Sequence, residues 1–513
     1  MGPFSTIGHV VRLLHAGFVL TREGAFSGLD PTTLPSALRL PFRLSQLMTR
    51  RGVASQPDRL ARAFARLGPS YVKLGQFLAT RPDVVGPRIV RELERLQDRM
   101  APFGRAAAIA IIESAFEKPL HQLFAEFGEP VAAASIAQVH RARLLPEAGG
   151  YEVAVKVVRP GVQRNFRRDL SDMYFAARLA ERFVPDAARL KPVQVVDTLA
   201  RSVTIELDLR LEAAAASELA ENCRNDADFL VPKVEWDLTA REVLTLQWIE
   251  GIPLSDLEAL QHSGIDLPRL GQRVIQTFLR HAMRDGFFHA DMHQGNLFVD
   301  TESRLIAVDF GIMGRLGVKE RRFLAEILFG FITRDYRRVA QVHFDAGYVP
   351  RVHNVEDFAQ AIRAIGEPIH ARTADQISMA KLLTLLFEVT ALFDMATRTE
   401  LVMLQKTMVV VEGVARRLDP HLNMWVTSEP VVRQWIEDNL GPLGRLKQGG
   451  EGLESLLALA RRIPDAAEKL DLILTRLSDQ SQGEIGKAEA KIALWSHRAL
   501  WVIVALLAWL ILR

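Results

Sequence analysis

Residues 287–311, FFHADMHQGNLFVDTESRLIAVDFG, constrain this chain more than any other stretch. Two apolar runs of strand length, NLFVD and LIAVDFG, place the polar groups at strand ends and turns. Asn296 stands five positions after Asp291, and Asp309-Phe310-Gly311 begins eighteen positions after Asp291. One carboxylate, Asp291, can orient or deprotonate a hydroxyl. An amide oxygen from Asn296 and a second carboxylate from Asp309 are hard ligands suited to Mg2+ held against phosphates. His289, Asp291 and His293 alternate, which on an extended segment would also suit a two-His-one-carboxylate iron or zinc site. That alternative leaves Asn296 and Asp309-Phe310-Gly311 without a role, so His289 is read as a hydrogen-bonding residue that holds the loop.

Upstream, VAAASIAQVHRARLL and YEVAVKVV read as two strands joined by the turn cluster PEAGG. The second carries Val153-Ala154-Val155-Lys156, the pattern of the kinase strand whose lysine binds the nucleotide α- and β-phosphates. The spacing of Asp291 and Asn296 is that of a kinase catalytic loop, and a hinge-like LTLQWIEG lies between the two motifs. A lysine in such a cleft needs a carboxylate from a helix. Glu212, in IELDLRLEAAAASELA, is the candidate, with Glu206 and Asp208 shortly before it. Where a glycine-rich loop would cover the phosphates, the chain has Ala132, Ala133, Ala134, Ser135, Ile136 and Ala137. Alanine resists the positive φ that glycine allows, so a stiffer loop is expected. Lys73, Gly75 and Gln76 lie in a helical segment, with Lys73 and Gln76 on one face and Gly75 permitting close backbone approach.

The rest of the chain fits a two-lobe plan. Residues 58–127 show apolar recurrence at three and four positions, the pattern changes to strand at about 128, a helix is expected over about 192–222, and VPKVEWD and EVLTLQWIEG read as strands. From 256 to 440 the chain is mostly helical. Expected divisions are 1–57, an amphipathic segment; 58–127, a helical extension with the K-x-G-Q motif; 128–250, a small lobe; 251–440, a large helical lobe; 441–493, an amphipathic connector; and 494–513, a membrane anchor. The 513 residues carry 64 Lys plus Arg and 61 Asp plus Glu, a net charge of +3 without a dense basic stripe, which disfavours nucleic acid as a partner. Hydrophobic residues are 49% and mean hydropathy is +0.07, too apolar for a disordered chain. A single cysteine, Cys223, excludes an intrachain disulfide and any cysteine-based zinc or iron–sulfur centre.

The two ends differ. The first, MGPFSTIGHVVRLLHAGFVLTREG, is broken by His9, Arg12 and His15, which argues against a secretory signal and for an amphipathic helix lying on a membrane or on the protein body. At the other end, Ala499 to Leu512 is 14 residues without a polar side chain, about 21 Å of helix. Starting at Leu494 it reaches 19 residues and about 28 Å, with Arg498 snorkelling to the interface. Trp495, Trp501 and Trp509 flank this run, and Lys487, Lys491 and Arg498 precede it, which would keep the body in the cytoplasm.

Together KLGQFLATRPDVVGP, ELERLQDRMAP, VAAASIAQVHRA, VAVKVVRPGV, IELDLRLEA, HADMHQGNLF and VDFG resemble the UbiB family of atypical protein-kinase-like proteins of ubiquinone biosynthesis, from about Leu60 to about Gly330. The resemblance implies an α+β, atypical protein-kinase-like two-lobe fold with an N-terminal helical extension and a C-terminal membrane helix. It implies ATP and Mg2+ as cofactors, an alanine-rich loop in place of the glycine-rich one, pairing of Lys156 with Glu212, and metal binding by Asn296 and Asp309. It further implies that the K-x-G-Q helix covers the cleft, with Glu206 and Asp208 as an E-x-D element that meets it. The chain departs from the bacterial pattern H-A-D-P-H-P-G-N at Met292 and Gln294, which replace both prolines.

The expected function is a Mg2+-dependent ATPase at a bacterial inner membrane, its body facing the cytoplasm. It would support ubiquinone biosynthesis as an accessory to polyprenylphenol ring modification, hydroxylation included. Its expected partners are membrane lipid or polyprenyl quinone precursors and ubiquinone biosynthesis proteins. A lipid or small-molecule kinase, with Asp291 as base, is one alternative. A nucleotide-gated scaffold without turnover is another. Direct oxygenase chemistry has no support, because the chain lacks a dinucleotide fingerprint and a cysteine-rich centre.

Overall fold

The computed structural model describes residues 3–25, 58–79, 100–183, 191–370 and 399–441, with isolated positions at 85–96 and 388–395. The chain divides into two units, Met1–Trp435 and Ile436–Arg513. The connector expected over 441–493 and the anchor expected over 494–513 lie outside the described residues, Gly441 excepted. Among the described residues no helix is long and apolar enough to cross a membrane.

The amino-terminal helices are α1 (Pro3–Arg22), α2 (Arg59–Leu67) and α3 (Pro69–Ala79), followed by α4 (Arg105–Phe116). The small lobe is an antiparallel sheet in the order β1-β2-β3-β5, formed by Phe124–Ala133, Ala137–Leu144, Glu152–Val158 and Val243–Gln247. On β3 the branched residues Val153, Val155 and Val157 alternate inward and pack with Ala108 and Ile112 of α4 and with Phe124 and Phe127 of β1. Strand alternation therefore turns Lys156 to the opposite face. The helices α5 (Val162–Phe183), α6 (Pro192–Glu206) and α7 (Leu209–Asn222) come next in the chain; α5 packs on α6, and α7 packs on β5 and brings Glu212 to Lys156.

Three expectations are corrected here. The first strand starts at Phe124, inside the segment expected to be helical to 127. VPKVEWD makes one bridge, Val234 to Leu246, and then a 3-10 turn over Trp236–Leu238. The helix expected over 192–222 is two helices broken at Leu207–Asp208. Asp208 caps α7, accepting from the Arg210 N–H at 3.2 Å, a bond the interior of a helix would not offer it.

The large lobe begins with short pieces: β4 (Phe229–Leu230), β6 (Ile252–Pro253), α8 (Leu257–His262) and α9 (Leu267–Arg280). α9 runs into a π-helical turn, His281–Asp285. The strands β7 (Phe287–His289), β8 (Leu297–Val299), β9 (Leu305–Ala307) and β10 (Met313–Arg315) follow, pairing β10 with β7 and ordering a second sheet β4-β9-β8-β6. In chain order there follow α10 (Val318–Ile332), α11 (Tyr336–Asp345), α12 (Val355–His370), α13 (Thr399–Leu418) and α14 (Met424–Leu440). The β7–β8 and β9–β10 connections thus present Asp291, Asn296 and Asp309 at the ends of short buried strands.

Candidate nucleotide site

Lys156 Nζ donates to both oxygens of Glu212, at 2.7 and 2.9 Å, and to Asp309 Oδ1 at 3.1 Å. Burial pushes the Lys156 ammonium down, but the Asp309 and Glu212 carboxylates outweigh it and hold its pKa above the ordinary lysine value. The Lys156 ammonium in turn holds Asp309 well below the usual carboxylate range, while burial raises Glu212. Glu212 side-chain exposure is 7% and that of Asp309 is 49%, so Asp309 is the member open to the cleft. Asp309 has φ +63°, a left-handed conformation uncommon outside glycine. Its Oδ1 also accepts from the Gly311 N–H at 3.4 Å. Backbone held in this way marks a position that the surrounding structure over-determines.

The catalytic-type loop is tied to that strand. His289 Nε2 donates to Val308 O at 3.1 Å, and its Nδ1 accepts from the Asp291 N–H at 3.1 Å. Both ring nitrogens are used within the protein, and burial pushes the imidazole pKa down, so His289 is a neutral structural strut and not a metal ligand. Asn296 donates its amide N–H to Asp291 O at 3.1 Å, and Val308 N–H donates to Asn296 O at 2.9 Å. The amide nitrogen is thereby spent, which leaves oxygen as the end suited to a cation. Met292 and Gln294, at the two proline positions, are anchored by other means. Met292 is buried, and Gln294 accepts from Arg417 on α13. Thr407, also on α13 and fully buried, donates to Ala290 O at 2.9 Å.

The alanine-rich loop, Ala132 to Ala137, joins β1 to β2, and its turn closes through Ala134 N–H to Ala137 O at 2.8 Å. Ser135, Ile136 and Ala137 are buried. A clamp that the sequence reading missed holds it. Arg159 Nε donates to Ala134 O and its Nη2 to Ala101 O, both at 2.8 Å; its backbone N–H donates to Ile136 O at 2.7 Å. The guanidinium also lies over the Phe103 ring. Met100 N–H donates to Ala133 O at 3.2 Å, and the Gln138 amide pairs with both backbone groups of Phe103. Gln138 Nε2 in turn donates to His140 Nε2, whose Nδ1 donates to Gly128 O. The segment after the K-x-G-Q helix is therefore stitched to the phosphate-loop position. The only cue in the sequence was an arginine three residues after Lys156.

Lys73, on α3, reaches Glu206 Oε2 at 2.6 Å with both side chains mostly buried, and it lies close enough to Asp309 to help depress its pKa. Gly75 faces Phe64 and Leu96, with no room for a Cβ: one built there would lie 2.4 Å from Leu96 and 2.5 Å from Phe64. Gln76, expected on the face of Lys73, lies in the last turns of α3, and its side chain makes no hydrogen bond to a described residue. Asp208 does not join Lys73; it forms a two-bonded ion pair with Arg210, at 2.7 and 2.9 Å, while capping α7. Among the described residues one further cluster, Cys223, His281 and Asp285, has metal-ligand composition. Arg284 already holds Asp285 and Asp226, and burial pushes the Cys223 thiol up to about 12, so the cluster is a buried structural network.

A lysine–glutamate pair beneath a β-loop, a metal-type carboxylate in the left-handed conformation and an Asp–Asn loop between two lobes define an atypical protein-kinase-like protein. The ABC1 atypical kinase-like domain matches residues 95–343 and the UbiB helical domain matches residues 362–423. The "Probable protein kinase UbiB" of Marinobacter nauticus is 39% identical over 459 residues, 88% of this chain and 83% of its own length. Its namesake in Azotobacter vinelandii is 41% identical over 451 residues, 86% and 83% of the two chains. The chain belongs to the UbiB family. The solved Rv3197–erythromycin complex of Mycobacterium tuberculosis shares the fold at a TM-score of 0.51 and 24% identity, covering 77% of this chain and 97% of that one.

Proposed function

We propose that the chain binds ATP and hydrolyses it as a Mg2+-dependent, kinase-like ATPase at a bacterial inner membrane, its body in the cytoplasm, in support of ubiquinone biosynthesis. The observation that carries this reading is the Lys156–Glu212–Asp309 triad with Lys73 set beside it. The residues fit the cofactor by donor chemistry: Asp309 stays ionised, and Asn296 has an amide oxygen to offer, so these two would hold Mg2+. Magnesium would neutralise phosphate charge. Lys156, held by Glu212, would contact the α- and β-phosphates, and Asp291 would orient a water or hydroxyl. By the family resemblance the K-x-G-Q helix would cover the cleft, a reading supported by Lys73 lying at Glu206 and near Asp309, and that would favour water, or a small acceptor taken from the membrane, over a protein. The apolar run at 494–513 would anchor the chain, close to polyprenyl precursors and the proteins that modify them.

The test is ATP turnover by the purified full chain, together with quinone content in a strain that lacks the gene. Asp309→Asn is expected to lower turnover by about 100-fold or more, because it removes a charge from the metal site, and to leave ubiquinone unrestored. Wild-type turnover by that variant would overturn the ATPase reading. Label transfer from ATP to a polyprenylphenol, in place of water, would convert it to a lipid kinase. Quinone restored by Asp291→Asn and Asp309→Asn alike would leave a scaffold.

A further inference from the structure

The Asp291 carboxylate is not held in place by hydrogen bonds of its own. Among the described residues it accepts none, and His293 Nε2 lies 3.8 Å away. Its direction therefore depends on the backbone that carries it. The Ala290–Asp291 peptide is a planar unit with one donor and one acceptor, so bonds at both ends fix its rotation. The donor end, Asp291 N–H, goes to His289 Nδ1 at 3.1 Å. The acceptor end, Ala290 O, receives the Thr407 hydroxyl at 2.9 Å, from α13 and 117 residues further along the chain. Thr407 is fully buried, and the same hydroxyl stands 2.8 Å from Met403 O, so its proton is shared between two carbonyls. The bond to Met403 alone would satisfy this hydroxyl, so its approach to Ala290 is an added feature of the site.

Helix α13 reaches the same loop a second time. His293 O accepts the Asn296 N–H at 2.9 Å, which makes His293–Asn296 a β-turn with Gln294 in its second position. Arg417 of α13 donates to the Gln294 side chain on that turn. We propose that α13 braces the catalytic-type loop, with Thr407 a positioning residue for Asp291 and Arg417 one for Asn296. The loop belongs to the segment matched by the ABC1 domain and α13 to the segment matched by the UbiB helical domain. Given the ATPase reading, on which this inference rests, the helical domain sets the geometry of chemistry performed in the other. The turn also offers a substitute for Arg417. Gln294 N–H donates to no described residue, and the fixed φ of proline suits the second position of a turn. Gln294→Pro would therefore stiffen the turn without losing a backbone hydrogen bond.

The test measures ATP turnover and amide hydrogen exchange in the full chain. Thr407→Val keeps the side-chain shape and removes the hydroxyl, which leaves the carbonyl of buried Ala290 without this donor. It should lower kcat about tenfold or more, because a small misplacement of a reacting group is costly, with KM for ATP changed less than about twofold. Thr407→Ser, which keeps the hydroxyl, should stay within about threefold of wild type. Arg417→Ala should lower kcat about three- to tenfold, the size of one hydrogen bond, and adding Gln294→Pro should recover most of that loss. In Thr407→Val the amides of residues 287–296 should exchange about tenfold faster while those of β5 keep their rate. A wild-type chain without turnover would overturn the ATPase reading, and the exchange rates, which need no chemistry, would then decide the brace by themselves. Three results would overturn the brace: Thr407→Val and Thr407→Ser behaving alike, exchange rising in β5 as much as in the loop, or an Arg417→Ala loss that Gln294→Pro leaves untouched.

Discussion

Lys156, Asp291, Asn296 and Asp309 were legible as a set, because phosphate and metal chemistry restricts which residue types can serve and in what order. Glu212 was legible only once a lysine required a partner. Arg159 was not, because its partners are the backbone carbonyls of Ala101 and Ala134, and backbone partners leave no mark on a sequence. Its two side-chain bonds predict a kinetic split. Arg159→Ala should raise the apparent KM for ATP about tenfold, the size of one or two hydrogen bonds, while kcat changes less than about threefold. Arg159→Lys should not rescue it, since a point charge cannot span two carbonyls as the guanidinium fork does. Equal losses in KM and kcat, or full rescue by lysine, would reject this role. Cys223 gives a second check. A thiol raised from its ordinary value of 9.0 to about 12 should react with a thiol reagent about 1000-fold more slowly at pH 8 in the folded chain than in urea. Comparable rates in both states would contradict its burial.

At the scale of elements, alternation on β3 was readable and fixed which face carries Lys156, whereas the break between α6 and α7 was not. Both helices have acceptable helical composition, and the break comes from Asp208 acting as a cap beside Arg210. Asp208→Ala should therefore cost about 1 kcal/mol in denaturant unfolding, the usual worth of such a cap. The extension on α3 is packed more tightly. Gly75→Ala would gain helix propensity, but its methyl would collide with Phe64 and Leu96. A net loss of about 1–3 kcal/mol is expected in the same measurement, with ATP turnover altered because Lys73 shares the helix. A variant as stable and active as wild type would show that α3 can shift freely.

For the whole molecule, buried neutral histidines set an acid limit. Burial lowers the pKa of His140, which braces the alanine-rich loop, and of His343, which donates to Val339 O on α11. Each is lowered from an ordinary value of 6.5, so the unfolded chain binds more protons below that pH and the folded state loses stability as pH falls through it. The thermal midpoint should be several degrees lower at pH 5.5 than at pH 7.5; an unchanged midpoint would mean that these rings accept protons without cost. The sequence by itself determined the fold class and the order of the chemical groups, because alternation, helical periodicity and metal-ligand chemistry are local in the chain. The tertiary structure alone decided that residues 100–103 clamp the alanine-rich loop, that Lys73 takes Glu206 but not Asp208, and that His9 and Arg12 of α1 meet Asp172. Those outcomes depend on which surfaces meet across tens to hundreds of residues, and pairings at that separation are set by packing that no local pattern encodes.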